Sequence, residues 1–119
     1  MAQSIMLDKS KDFAVEIVEL CKKIKEKHRE SVMTNQLIRS GTSIGANIHE
    51  SKYAHGTADF IAKMQIALKE CYESEYWLEI LNRTNYIDDE EYKKVSNNCG
   101  AIRRMLVSSI NTVKNKQFD

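Results

Sequence analysis

The chain has 119 residues, one domain's worth and enough to bury a core without metal or disulfide staples. Hydrophobic residues make up 42% and charged residues 29%, which excludes a disordered chain. A net charge of +1 excludes a strongly cationic nucleic-acid coat, while a local basic patch stays open.

There is no proline and there are only four glycines, so little interrupts helix formation. The first segment predicts a helix from about 8 to 29. Phe13, Ile17, Leu20, Cys21 and Ile24 fall on one face, Asp8 or Ser10 is placed to cap its start, and Lys25, Lys27, His28 and Arg29 complement the dipole at its end. The second helix is expected from about 32 to 53, burying Leu37, Gly41, Ile44 and Ile48. It carries little charge, which implies that much of its circumference is covered.

His55-Gly56-Thr57 reads as a connection with Thr57 as the next N-cap. A third helix follows from about 58 to 83. Phe60, Met64, Ala67, Leu68, Cys71, Leu78 and Leu81 make its stripe, flanked by Ile61 and Trp77. Asn85 to Asp88 is a turn. Asp88 or Asp89 then caps a last helix, about 89 to 114, through Tyr92, Val95, Cys99, Ile102, Leu106 and Val113, with the tail 115–119 expected to fray. Four helices of similar length with short loops make an all-α fold, an antiparallel up-down-up-down four-helix bundle in a single domain spanning 1–119.

No catalytic constellation stands out. Gly45 is followed by Ala46-Asn47, so the glycines do not form a phosphate loop, which needs lysine and a hydroxyl residue there. Neither Glu50 nor Glu75 has histidine three residues on, and His49-Glu50 lacks the second histidine of a zinc protease, so no metal and no cofactor are expected. Glu50 and Glu75 as a carboxylate pair is the weakest reading. Cys21, Cys71 and Cys99 are odd in number, far apart and in apolar settings, so buried, reduced, unreactive thiols are expected. The N-terminal residues lack the apolar core of a secretion signal and no apolar run is of membrane-spanning length. A cytoplasmic protein with no membrane partner is therefore expected.

The unusual stretch is Arg39 to Glu50. Ser40, Gly41, Thr42, Ser43 and Gly45 make a poor free helix, so close packing must offset them, within the bundle or against a second subunit. Arg39, Ser43, Asn47 and Glu50, spaced 4, 4 and 3, form a polar line beside the apolar one. Glu75 falls within the apolar stripe of the third helix and is expected to accept hydrogen bonds from Asn47, Ser43 or Arg39. For nucleic acid the candidates are Lys22, Lys23, Lys25, Arg29, Arg103 and Arg104. Residues 8–30 carry seven positive and six negative charges, so the surface is mixed rather than cleanly basic.

Gln36 to Glu50, read as Gln-Leu-Ile-Arg-Ser-Gly-Thr-Ser-Ile-Gly-Ala-Asn-Ile-His-Glu, resembles the hallmark of the four-helix-bundle family of the 23S ribosomal RNA intervening-sequence protein. Phe60 and the stretch Gln65 to Glu75 resemble its second block, and the likeness extends over about residues 10–115. Ser51 departs from it, standing where the family has glycine. The resemblance implies an up-down bundle that assembles into a ring, commonly a homopentamer, without enzymatic activity. Some members are encoded within insertions in ribosomal RNA genes. A relative, the accessory variability protein of diversity-generating retroelements, binds nucleic acid and a reverse transcriptase. Arg39, Gly41, Ser43, Gly45, Asn47, Glu50 and Glu75 are then structural or interface positions. The function expected is a homo-oligomeric interaction protein presenting repeated basic sites to RNA or DNA. The alternative is a structural, protein-binding adaptor with no nucleic-acid role.

Overall fold

A computed structural model describes residues 2–117, with the side chains of 4–116 assigned burial. Four helices account for almost all of them: α1 Ala2–His28, α2 Val32–Ser51, α3 Thr57–Arg83 and α4 Asp89–Gln117. Each helix packs on two neighbours, in the order α1–α2–α3–α4–α1, and among the described residues the backbones of diagonal helices do not approach. The result is a four-helix bundle of 52 × 22 × 20 Å. The α1–α4 seam is the thinnest of the four.

The apolar stripes meet as their spacing requires. Phe13, Ile17, Leu20, Cys21 and Ile24 of α1, Leu37, Ile44 and Ile48 of α2, Met64, Ala67, Cys71, Leu78 and Leu81 of α3, and Val95, Cys99, Ile102 and Leu106 of α4 are all buried. Phe60, Leu68, Trp77 and Tyr92 pack on this core half-exposed. A buried aliphatic side chain contributes about 1.5–3 kcal/mol, so this core supplies most of the driving force.

Several boundaries differ from the sequence expectation. α1 begins at Ala2, so Asp8 and Ser10 lie inside it and cap nothing. Met6, Leu7 and Ser10 continue the stripe of Phe13 and Ile17 towards the N-terminus and are buried. Ser10 turns its hydroxyl onto the Leu7 carbonyl, 2.7 Å away, so a polar side chain sits in the core at little cost. α2 ends at Ser51, and 52–53 form a turn. Thr57 is the first residue of α3 rather than its cap. Gly56 precedes it at φ 137°, a left-handed conformation that favours glycine. α4 continues to Gln117, beyond the expected end at 114. Of the tail expected to fray, 115–117 are helical, and Phe118 and Asp119 lie outside the described residues.

The helix ends are closed by local chemistry. Arg29 and Asn85 take left-handed φ values of 56° and 67° after α1 and α3. The Asp88 carboxylate accepts the Glu91 N–H at 2.8 Å and caps α4. At α2 the cap is Glu30, which sequence reasoning missed. Its two carboxylate oxygens accept the N–H groups of Met33 and Thr34 at 2.7 and 2.9 Å. Burial alone would raise this carboxyl's pKa, but the backbone donors outweigh it and hold the pKa below its ordinary value.

Candidate functional site

The glycines of α2 explain themselves through α1. A Cβ on Gly41 would stand 3.0 Å from Ile17 Cγ2, and one on Gly45 would stand 3.0 Å from Ser10 Oγ. Both positions therefore let α1 and α2 approach within the bundle. Thr34, whose carbonyl accepts the Cys21 thiol of α1, and Ser40, which faces α3, are both fully buried.

The polar line of α2 splits into separate contacts. Arg39 reaches α3, where its guanidinium lies 3.2 Å from Glu70 and also pairs with Glu73. Trp77 donates its ring N–H to Glu73 at 3.2 Å. Arg39, foremost, with Trp77's help, holds the Glu73 carboxyl below its ordinary pKa against the opposing effect of burial. Ser43 donates to the Arg39 carbonyl at 2.6 Å and Asn47 to the Ser43 carbonyl at 2.8 Å, so both fold onto their own helix. Glu50 pairs with Lys63 at 3.2 Å.

Glu75 does not meet α2. It accepts a hydrogen bond from Arg103 Nε of α4 at 2.8 Å, and both side chains are roughly three-quarters covered. The carboxylates that meet α2 are Glu70 and Glu73, through Arg39, and the buried α2–α3 polar contact is Ser74 with Ser40. Adjacent residues on a helix are about 100° apart, so Ser74 turns to α2 while Glu75 turns to α4. Glu50 and Glu75 each have their own cationic partner on different seams and do not form a carboxylate pair.

The six candidate cations are dispersed. Lys23 pairs with Glu91 at 3.2 Å, Lys25 with the Asn35 side chain, and Arg103 with Glu75. Lys22, Arg29 and Arg104 are exposed, and none of them makes an ion pair among the described residues.

The three thiols are buried and free. Burial pushes Cys21 up to about 12, and Cys99 is pushed up by its hydrogen bond to Cys71 and by burial, so neither forms a thiolate at neutral pH. Among the described residues no group of three or more His, Cys, Asp or Glu could hold a metal ion. No described helix is long and apolar enough to cross a membrane. One cleft of about 360 Å³ opens where α1 ends and α4 begins, floored by Leu20, Ile24 and Ile87, with the Lys23–Glu91 pair at its edge.

The sequence matches the 23S rRNA-intervening sequence protein family over residues 2–108. The chain belongs to that family. A crystal structure of a protein of unknown function from the S23 ribosomal protein family of Bacteroides thetaiotaomicron shares 50% identity and superposes with a TM-score of 0.92. The match covers 93% of this chain and 99% of that one. No curated protein is a significant match. The family's first block, Gln36 to Glu50, is thus the stretch that α1 and α3 hold on either side, through Gly41, Gly45, Ser40 and Arg39.

Proposed function

We propose that this chain is a non-enzymatic interaction protein that assembles with copies of itself through the outer side of α1 and α2. The observation that carries this reading is a largely apolar strip, edged by Ser10, Lys11 and His49 at one end and by Glu19 and Lys22 at the other. Ala14 lines both a groove of about 340 Å³ between α1 and α2, with Thr42, Gly45 and Ala46, and a shallow concavity on the outer side of α1, with Val15 and Val18. Val15 is 59% exposed. A ridge of valines beside a groove of small residues is the relief that helix packing uses, and water is a poor occupant for it. Lys11 and Glu19 flank Val15 four residues to either side and supply both signs of charge at the rim.

A ring of five is the count that the resemblance implies. Light scattering of the purified protein tests both statements. A mass several times the 13.7 kDa of one chain is expected, and a monomer at micromolar concentration would remove the proposal. A different multiple would remove the ring of five alone. Val15→Asp should abolish assembly while leaving the fold intact, since an exposed substitution costs the monomer about 0.5 kcal/mol or less.

A second reading, RNA or DNA binding, is favoured by one specific feature. Arg104 is exposed, without an ion pair among the described residues, and beside the largely covered Arg103. Binding of labelled nucleic acid that strengthens as salt falls is the expected outcome. No association at low salt would leave the adaptor reading.

A further inference from the structure

Gly100 stands in the middle of α4, where a glycine is costly in a helix and no neighbouring helix needs the space. A Cβ at Gly100 would meet only two side-chain atoms, both from its own helix: an Arg104 terminal nitrogen at 3.3 Å and an Arg103 terminal nitrogen at 3.4 Å. Both guanidinium groups are therefore laid back over the same bare patch of backbone. Two like charges converge there, and a single carboxylate, Glu75, answers them through Arg103 Nε. Arg104 has no ion pair among the described residues. Lys93 and Asn97, seven and three residues ahead of Gly100, lie on the same face, and both are exposed.

Across the seam, the Tyr72 ring of α3 carries the Arg103 guanidinium 5.9 Å from its centroid and is 53% exposed. Tyr76, one turn on, is 57% exposed. Arginines gathered over a glycine and bordered by open tyrosines pair a phosphate-seeking group with flat rings on which bases stack.

We propose that Arg103 and Arg104, gathered over Gly100 beside Tyr72, bind the phosphate backbone of single-stranded nucleic acid, with a base stacked on the tyrosine. This rests on the nucleic-acid reading above and assigns it a place. A duplex is the poorer ligand, because its bases are already stacked on one another. The α3–α4 side lies across the bundle from the α1–α2 side, so association through the α1–α2 side alone leaves it open and repeats it in each copy.

Fluorescence anisotropy with a labelled single strand of mixed sequence, as RNA and as DNA, and with the matching duplex, tests the site across a salt series. Wild-type protein is expected to bind both single strands more tightly than the duplex, with affinity falling as salt rises. Arg104→Gln should weaken binding and reduce the log–log salt slope by about 0.7, the signature of one lost phosphate contact on a single strand. Tyr72→Ala should weaken it between about fivefold and about a hundredfold. Gly100→Ala separates binding from folding. Its methyl group displaces the two flexible guanidinium ends and improves the helix, so binding should weaken while the melting temperature holds or rises. Single-strand binding that Arg104→Gln and Gly100→Ala leave unchanged would overturn the site but not the nucleic-acid reading. Absence of binding at low salt would overturn both, and preference for the duplex would overturn the stacking geometry.

Discussion

Ser74 of α3 donates its hydroxyl to that of Ser40 of α2 across 2.9 Å, and both side chains are fully buried. Ser40 donates its own O–H to the Leu37 carbonyl at 3.3 Å, so a short chain of hydrogen bonds crosses the α2–α3 seam and ends on backbone. Removing one member leaves the other with an unmet group. Ser74→Ala should cost about 1 kcal/mol in urea unfolding, and the Ser40→Ala/Ser74→Ala double variant should cost less than the two singles together. Strict additivity would mean that the two hydroxyls do not support one another.

Gly41 has Ile17 Cγ2 3.0 Å from the place its Cβ would take. The isoleucine is branched and fully buried, so it cannot step aside. Gly41→Leu should lower stability by about 3 kcal/mol or prevent folding, read from the denaturation midpoint or from soluble yield. An unchanged melting temperature would contradict the close approach of α1 and α2.

Glu30 holds the start of α2 with both carboxylate oxygens. Glu30→Ala should lower stability at neutral pH by about 1 kcal/mol. Because its folded pKa lies below the unfolded value, its contribution is present above the unfolded value and is lost as pH falls through the folded one. Glu73, paired with Arg39, behaves in the same direction. Glu30→Gln should therefore lose less stability than wild type between neutral pH and pH ~3, the difference being the share of Glu30. Parallel acid limbs in the two proteins would show that this cap does not titrate with folding.

Ser96 has a buried hydroxyl with no hydrogen-bond partner among the described residues. Ser96→Ala removes the unmet group and improves helix propensity, so a gain of about 1 kcal/mol is expected. A loss of stability on thermal melting would mean that the hydroxyl has a partner after all.

The stripes were legible because their spacing is that of a helix and nothing in the sequence competes with it. The start of α1 was legible in principle. Met6, Ser10, Phe13 and Ile17 continue one face at spacings of 4, 3 and 4, but Asp8 and Ser10 resemble caps so well that they hid it. The partner of Glu75 was not legible. Glu70, Ser74 and Glu75 share a stretch of α3 facing two different neighbours, and which helix lies on which side is a property of the assembled bundle rather than of any one helix. The Glu30 cap was missed because the carboxylate lies ahead of Ser31, the residue with the conventional capping side chain. Gly100 carries no signal in the sequence beyond an interruption of a helical stretch. Its meaning depends on where two long side chains fold, which no spacing rule gives.

The fit of Ile17 over Gly41 and Ser10 over Gly45 also limits how the bundle can move. Sliding α1 by one turn would bring Phe13 or Cys21 to the place of Ile17. The first is too bulky for a slot in which even a Cβ added to Gly41 would stand 3.0 Å from Ile17, and the second leaves it hollow. The α1–α2 hairpin is thus keyed against shear, and the bundle is held least tightly at the thin α1–α4 seam.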